Sequence, residues 1–357
     1  MTRPVRAHIN LQALQHNFSR VQQAAPRSRV MAIIKANAYG HGMVRVAQSL
    51  ADADAFGVAC IDEAISLREA GFDRRIVLLE GLFDAEDIAL VNGFQLDVVI
   101  HHESQLALLE QGSLLRPLDV WVKLDTGMHR LGFATESIKA LTARLQKIPQ
   151  IGAIRYMSHF PCADDLDSSS TARQRQTFLD ALAAIPAEQT LANSAAIVGW
   201  PDTHLDWVRP GIMLYGASPL IGRSAASLDL QPVMTLSTRL IAVNARQAGD
   251  AIGYGGDWVC PTDRLVGVAA IGYGDGYPRH APGGTPVLVN GKPANLAGRV
   301  SMDMICIDLA DHPQARVGDE VVLWGEGLPV DEVAAAAGTI SYELLCGVGS
   351  RVHFDYS

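Results

Sequence analysis

Residues 30–42 read VMAIIKANAYGHG, and this stretch joins a buried strand to a polar segment at its end. Val30 to Ile34 form a continuous apolar run, which is typical of a strand covered on both faces. Lys35 follows directly, although lysine is seldom buried without a partner. Two interpretations are open at this point: the amine reaches solvent at the rim of a sheet, or it is held there for chemistry.

The alternation of strand and helix continues over about the first 210 residues. Asn10 is expected to cap the first helix, and amphipathic segments such as DEAISLREAG (62–71) separate later apolar runs. The strand-like runs lie near residues 30–34, 56–60, 75–79, 96–100, 119–124, 152–158, 189–193 and 205–209. Strands and helices in this number predict a (β/α)8 barrel. A doubly wound open sheet, the alternative, would have fewer strands and a Gly-x-Gly-x-x-Gly turn that the sequence lacks.

The pattern changes near residue 230. Strand-like runs and glycine-rich turns follow, and the next helical pattern is DEVAAAAG at 331–338. VLVNGKP (287–293) places Asn290-Gly291 between apolar runs, which predicts a β-hairpin. We therefore divide the chain into a barrel domain, residues 1–230, and a mostly β domain, residues 231–357.

Composition and charge argue against several classes of protein. The chain has 357 residues, of which 48% are hydrophobic and 19% charged, as in folded globular proteins. Its net charge is −9, and the sequence contains no run of basic residues. Nucleic acids and anionic membranes are therefore poor candidate partners. The five cysteines are scattered, and the sequence has neither an apolar leader nor an apolar segment of about 18 residues. We expect a soluble cytoplasmic protein without disulfides.

Polar side chains follow the predicted barrel strands at the ends where such barrels place their active sites. They are Lys35, Lys123, His159, Asn193, Ser194 and Arg209. No His-x-His pair or carboxylate cluster accompanies them, so no metal site is predicted. A lysine near a turn whose backbone N–H groups bind phosphate, here Arg209-Pro210-Gly211-Ile212, is compatible with a Schiff base to pyridoxal phosphate.

The stretch KANAYGHG (35–42) resembles the pyridoxal-phosphate signature of alanine racemases. The resemblance covers nearly the whole chain in order, through LDTGMHRLGF (124–133), SHF (158–160), NSAA (193–196), DWVRPGIMLYG (206–216), GYGG (253–256), GYGDGYPR (272–279), GRVSMDM (298–304) and SYELL (341–345). That family has a barrel followed by a β domain, in agreement with the strand count. The resemblance therefore favours chemistry at Lys35.

The resemblance implies an isomerase that interconverts L- and D-alanine with pyridoxal phosphate bound to Lys35. It implies two bases on opposite faces of the substrate, Lys35 for D-alanine and Tyr254 for L-alanine. Because tyrosine is a weak base at neutral pH, Tyr254 is expected to be supported by His159, itself linked to Arg209. Arg209 is expected to face the ring nitrogen of the cofactor, which stays unprotonated because a guanidinium does not release its proton.

Further roles follow from the same resemblance. The implied cofactor ligands also include Tyr39, Asn193, Ser194, Gly211, Ile212 and Tyr342. Arg130 is expected to bind the substrate carboxylate, and Lys123 corresponds to a lysine that is carbamylated in many family members and would hold Arg130. Some members have a histidine three residues before the NSAA asparagine. This chain has Thr190 there, whose hydroxyl is expected to replace part of that hydrogen-bond chain.

The second domain is implied to serve the active site of a neighbouring subunit. Its contributing residues are Tyr254, Tyr273, Arg299, Met302 and Asp303, with Met302 next to the substrate and Tyr273 and Arg299 at the entrance. The resemblance therefore implies a head-to-tail homodimer.

Other functions share parts of this pattern. A racemase for serine or lysine would differ in pocket size, which the sequence does not reveal. A non-catalytic pyridoxal-phosphate carrier would be a single barrel, and a carbamyl-lysine metal hydrolase would need His-x-His ligands. The sequence also leaves open whether the product supplies D-alanine for peptidoglycan or whether D-alanine is degraded.

Overall fold

The computed structural model describes residues 3–357 and consists of two domains, each built around its own sheet. The strands are β1 (Arg6–Ile9), β2 (Arg29–Ile33), β3 (Ala55–Val58), β4 (Arg75–Leu78), β5 (Asp97–Ile100), β6 (Leu118–Asp125), β7 (Phe133–Ala134), β8 (Ile151–Met157), β9 (Gln189–Asn193), β10 (Trp207–Arg209), β11 (Met234–Arg246), β12 (Ala251–Ile252), β13 (Trp258–Val259), β14 (Arg264–Ala269), β15 (Pro286–Val289), β16 (Lys292–Leu296), β17 (Ile305–Asp308), β18 (Glu320–Trp324) and β19 (His353–Tyr356). The helices are α1 (Leu11–Ala24), α2 (Lys35–Tyr39), α3 (Met43–Ser49), α4 (Ile61–Glu69), α5 (Asp87–Gly93), α6 (Glu103–Gln111), α7 (Ile138–Leu145), α8 (Ser170–Leu182), α9 (Ser194–Gly199), α10 (Val330–Ala337) and α11 (Ser341–Cys346).

The first domain is a closed barrel of parallel strands. Its strand order is β5-β4-β3-β2-β10-β9-β8-β6, and the pairing of β5 with β6 closes the circle. Strands β3 and β5 are buried along their whole length because helices cover the outside and side chains fill the inside. Each of the eight predicted strand runs overlaps one of these strands, which confirms the (β/α)8 barrel.

Helix α1 begins where the sequence predicts. The side chain of Asn10 accepts a hydrogen bond of 2.9 Å from the backbone N–H of Ala13 and so caps the helix. Leu14, Phe18 and Val21 form the buried face of the helix. The expected cap is therefore confirmed.

The second domain is a closed antiparallel sheet. Strands β11, β14, β17, β16, β15 and β18 follow one another around it, and β11 pairs with both β14 and β18. The hairpin of β15 and β16 turns at Asn290 and Gly291, which have positive φ values of 48° and 74°. Such a two-residue turn matches the twist of the strands it joins. The predicted hairpin and the mostly β second domain are confirmed.

Strand β1 joins the sheet of the second domain, and the sequence did not reveal it. Arg6 pairs with Ser237 of β11 in antiparallel register and with His353 of β19 in parallel register. A run of four residues whose partners are so far along the chain carries no local signal. The other strands of this sheet lie between Met234 and Tyr356, and the barrel strands between Arg29 and Arg209.

No helix among residues 3–357 is both long enough and apolar enough to span a membrane.

Candidate active site

A cavity of about 680 Å³ lies at the carboxyl end of the barrel strands, a size suited to a small molecule. Many of the residues singled out from the sequence line it: Lys35, Tyr39, Lys123, Arg130, His159, Asn193, Ser194, Arg209, Gly211 and Tyr342. Ile212 is buried directly behind Gly211 and does not line the cavity. The barrel topology brings the barrel side chains together because the carboxyl ends of parallel strands share one edge. Tyr342 joins them from α11 of the second domain.

Lys35 stands at the start of an unusual turn. Helix α2 is left-handed, since the residues from Ala36 to Tyr39 have φ values of 52°, 52°, 54° and 52°. Residues with a Cβ atom adopt this conformation at a cost of about 1–2 kcal/mol each. The Gly40 N–H closes the turn on the carbonyl of Ala36 (3.0 Å), and a Cβ on Gly40 would lie 2.1 Å from the Leu345 carbonyl oxygen. The turn leaves Lys35 and Tyr39 lining the same cavity.

Hydroxyl groups and backbone N–H groups form a cradle at one side of the cavity. The Ser194 hydroxyl accepts a hydrogen bond of 2.8 Å from the backbone N–H of Gly211, and Asn193 caps helix α9. A Cβ on Gly211 would lie 2.6 Å from the Tyr39 hydroxyl, so the close approach requires glycine. Burial raises the pKa of Tyr39, and it raises the pKa of Tyr342 to about 12. Both phenols therefore keep their protons and can donate hydrogen bonds to an anion.

Arg209 is buried beneath the cavity without a carboxylate partner among residues 3–357. Its guanidinium donates to the Thr190 hydroxyl and to the Ser158 carbonyl, both at 2.6 Å, and to the Leu191 carbonyl at 3.2 Å. Thr190 in turn donates to the Trp207 carbonyl at 2.8 Å. The expected use of the Thr190 hydroxyl is thus confirmed. Burial lowers the pKa of Arg209 to about 10, which still leaves it cationic at neutral pH.

The other cations of the cavity resemble Arg209 in lacking a carboxylate. Within residues 3–357, Lys35, Lys123 and Arg130 form no ion pair. Burial and the neighbouring cations, Arg209 first, lower the pKa of Lys123 to about 8. The same two causes lower the pKa of His159 to about 3, so this histidine is neutral. A cavity with unpaired cations and hydroxyl donors is suited to phosphate and carboxylate groups.

Apart from Tyr342 on α11, the predicted residues of the second domain do not reach this cavity. Tyr254 is 68% exposed, Met302 53% and Tyr273 41%. Arg299 is paired with Asp257, and Asp303 is paired with Arg351 and Arg3. Within one chain these side chains are therefore exposed to solvent and do not lie next to Lys35.

Several lining residues were missed by the sequence reasoning. Glu80 lies two residues after the end of β4, and His101 directly follows β5. His101 Nε2 donates to the Glu80 carbonyl at 3.0 Å. Both are polar residues near the carboxyl ends of barrel strands, the criterion by which Lys123 was predicted, so the sequence could have indicated them. Cys346 comes from α11 of the second domain, and no pattern in the sequence indicates that it faces the cavity. No group of three His, Cys, Asp or Glu side chains in the described chain is placed to hold a metal ion.

The fold and this site define a barrel enzyme whose active site binds anionic groups around a lysine at the end of the first barrel strand. Comparison with known protein families identifies the family to which this enzyme belongs. The model of the alanine racemase N-terminal domain matches residues 9–219, and that of the C-terminal domain matches residues 233–356. The chain belongs to the alanine racemase family.

Individual relatives agree over the full length. The chain is 51% identical to the alanine racemase of Vibrio cholerae, covering 98% of this chain and 97% of that protein. It is 55% identical to the alanine racemase of Thioalkalivibrio sulfidiphilus, covering 100% and 99%. The crystal structure of the biosynthetic alanine racemase from Pseudomonas aeruginosa is 47% identical, covers 100% of both chains and superposes with a TM-score of 0.98. These matches confirm the resemblance, the isomerase class and the dependence on pyridoxal phosphate.

Proposed function

We propose that this chain interconverts L- and D-alanine, with pyridoxal phosphate attached to Lys35. The observation that carries the proposal is the cluster of cations without carboxylate partners around the cavity. A phosphate and an amino-acid carboxylate would supply the missing negative charges. When bound, the cofactor stabilises the negative charge left on the amino-acid Cα after a proton is removed.

The residues of the cavity fit the cofactor chemically. Tyr39, Ser194 and Tyr342 would hold its phosphate. The backbone N–H groups of Gly211, which donates to the Ser194 hydroxyl in the unliganded chain, and of Ile212, which lies just behind the lining, would assist them. Arg209, which cannot act as an acid at neutral pH, would face the ring nitrogen and keep it unprotonated. Asn193 and the neutral His159 would complete the contacts around the ring.

Arg130 would bind the substrate carboxylate in a bidentate manner. We propose that Lys123 carries a carbamate, whose negative charge would hold Arg130 in place. An amine reacts with carbon dioxide only when neutral, and a pKa of about 8 makes roughly a quarter of Lys123 neutral at pH 7.5. Carbon-13 NMR of protein equilibrated with labelled bicarbonate would show a carbamate signal that is absent from Lys123→Ala.

Lys35 and Tyr254 would remove protons from opposite faces of alanine. Because Tyr254 is 68% exposed in one chain, we propose that it enters the site of a second copy in a head-to-tail homodimer. Tyr273, Arg299, Met302 and Asp303 of the second copy would accompany it at the entrance. Exposed tyrosine and methionine side chains on one domain are also the residue types that interfaces favour.

We also propose that the enzyme works in the cytoplasm and supplies D-alanine for peptidoglycan. The five cysteines are all free, as expected in a reducing compartment. The crystal structure from Pseudomonas aeruginosa is described as that of a biosynthetic enzyme. Growth of a deletion strain with and without added D-alanine would test the role: dependence on D-alanine is expected, and unaided growth would contradict a sole biosynthetic source.

The cofactor assignment is tested by trapping the attached lysine. Protein saturated with pyridoxal phosphate is reduced with borohydride, digested and mapped by mass spectrometry. We expect the label on Lys35 and none on Lys123, with alanine racemised by the unreduced sample. A label on another lysine would contradict the assignment, and turnover of serine or lysine without alanine would contradict the substrate.

Mixed dimers test the contribution of the second copy. Lys35→Ala and Tyr254→Phe chains, each of which should be nearly inactive in racemisation by itself, are unfolded and refolded together. If Tyr254 acts on the other subunit, each mixed dimer contains one intact site, and about a quarter of all sites become active. If Tyr254 acts within its own chain, no site is intact and the mixture stays inactive.

A further inference from the structure

We propose that Glu63 is a positioning residue for Lys35, because its carboxylate clamps the left-handed turn that carries this lysine. The inference rests on the proposed role of Lys35. Glu63 does not line the cavity, and its action would pass entirely through the backbone of the turn.

The carboxylate joins the loops that follow two neighbouring barrel strands. One oxygen of Glu63 accepts a hydrogen bond of 2.7 Å from the backbone N–H of Ala36, directly after Lys35. The other oxygen accepts one of 2.7 Å from the backbone N–H of Ala59, at the end of β3. The two strands pair side by side in the barrel. Glu63 thus fixes the exit of β2 against the exit of β3.

The position of Glu63 in its helix explains only half of this arrangement. Cys60 occupies the N-cap position of α4 without a side-chain hydrogen bond, so Glu63 is the third residue of the helix. A carboxylate at that position commonly reaches back to the chain before the helix. The bond to Ala59 is of that kind. The bond to Ala36 leaves the helix altogether and reaches another loop, which helix capping does not require.

The turn needs such a clamp for a physical reason. Four consecutive residues that carry a Cβ hold left-handed backbone angles, a conformation that persists only where surrounding contacts impose it. The N–H of Ala36 lies in the first turn, where no backbone carbonyl of the turn can accept it. A carboxylate acceptor makes this hydrogen bond about twice as strong as a neutral one. Without it, the first residue of the turn would be free to relax and carry Lys35 with it.

The test compares Glu63→Gln with Asp62→Asn. Both replace a carboxylate in the first turn of α4, but the side chain of Asp62 is exposed and contacts neither loop. Hydrogen exchange of the Ala36 amide, measured on protein freed of cofactor, should be roughly tenfold faster in Glu63→Gln and unchanged in Asp62→Asn. The dissociation constant of pyridoxal phosphate, measured by absorbance titration, should rise by about the same factor.

A second variant separates positioning from general stability. Glycine adopts the left-handed conformation without strain, so Ala36→Gly added to Glu63→Gln should recover much of the lost cofactor affinity. A merely structural carboxylate would not be rescued in this way.

The inference is overturned if the Ala36 amide of Glu63→Gln exchanges at the wild-type rate, or if the double variant binds the cofactor no better than Glu63→Gln. Borohydride mapping of the wild type keeps the two proposals distinct. A label on Lys35 with no effect of Glu63→Gln removes only this inference, whereas a label elsewhere removes the proposed role of Lys35.

Discussion

Charged residues are paired with one another at the amino end of the barrel, whereas the cations around the cavity at its carboxyl end are unpaired in the part of the chain that the structure describes. At the amino end and just inside it, three arginines and three acids form a continuous chain of ion pairs: Arg29, Arg75, Arg155, Asp97, Asp119 and Glu188. Two buried indoles extend this chain, since Trp121 donates to Asp97 at 2.9 Å and Trp207 donates to Glu188 at 3.1 Å. At the carboxyl end, the cations around the cavity have no carboxylate partner within residues 3–357.

This difference separates stability from function within one fold. Paired charges at the amino end satisfy one another, and none of them is available to a ligand. The unpaired cations at the carboxyl end lie close to one another. Burial first, and the neighbouring cations second, lower the pKa of Lys123 to about 8. These cations gain a partner only when an anion binds. We therefore expect substitutions at the two ends to affect different quantities.

The largest expected effect is on activity and lies at the carboxyl end. Lys35→Ala should lower kcat/KM by at least about 10⁴-fold, because it removes both the attachment of the cofactor and one base. The free energy of unfolding of the cofactor-free protein should change by less than about 1 kcal/mol, since no ion pair is lost. Racemisation assays and urea denaturation measure the two quantities. A large loss of stability in cofactor-free Lys35→Ala would contradict the proposed difference between the two ends of the barrel.

The converse is expected at the amino end. Arg155→Met leaves Asp119 and Glu188 short of a partner and should lower the free energy of unfolding by about 3–5 kcal/mol. The kcat of the folded enzyme should stay near the wild-type value. Arg144→Met is the control, because this arginine forms exposed ion pairs and its loss should destabilise the protein far less than Arg155→Met does. If both variants lowered the free energy of unfolding equally, the burial of the ion-pair network at the amino end would not contribute to stability.

A smaller effect, visible only in acid, concerns a base near the cavity. Burial lowers the pKa of His41 to about 4, below its ordinary value of 6.5. Between these values the unfolded chain binds a proton that the folded chain does not, so stability falls as the pH is lowered from 6.5 to 4. His41→Asn should make this dependence shallower, with a difference on the order of 3 kcal/mol by pH 4. Urea denaturation at several pH values measures it.

The control for this prediction is His280→Asn, which changes an exposed histidine. It should leave the pH dependence of stability as in the wild type. If His41→Asn and the wild type lose stability in parallel on acidification, the buried His41 is not the group responsible.

The smallest effect is expected at Thr190. Thr190→Val keeps the shape of the side chain but removes the acceptor of the 2.6 Å hydrogen bond from Arg209. We expect a loss of about 1–3 kcal/mol in stability and a reduction in kcat of only a few fold, because two carbonyls still hold the guanidinium. Thr190→Ser, which keeps the hydroxyl, should retain most of the stability and most of the kcat of the wild type. Loss of activity in Thr190→Ser would indicate that packing of the methyl group matters instead.

Residue patterns predicted most of the barrel and part of the site. The barrel strands were visible because strands covered on both faces are continuous apolar runs, and Lys35 and Arg209 were visible because they end such runs. Strand β1 was invisible because its partners lie in the second domain. The clamp at Glu63 was missed because it depends on side-chain reach between two loops.

The residues of the second domain mark a different limit. Nothing in local pattern connects Tyr254 or Met302 to a cavity in the barrel, and the resemblance to a family alone suggested it. The single chain leaves both side chains exposed. Their assignment depends on how two copies meet, which neither strand periodicity nor the fold of one chain can reveal.

The most direct test of the account is exchange of the alanine Cα hydrogen in deuterated water, followed from L-alanine and from D-alanine, for the wild type and Tyr254→Phe. We predict that Tyr254→Phe chiefly slows removal of the hydrogen from L-alanine, while exchange from D-alanine at Lys35 persists. Equal slowing in both directions, or no slowing in either, would contradict the assignment of the two bases to opposite faces.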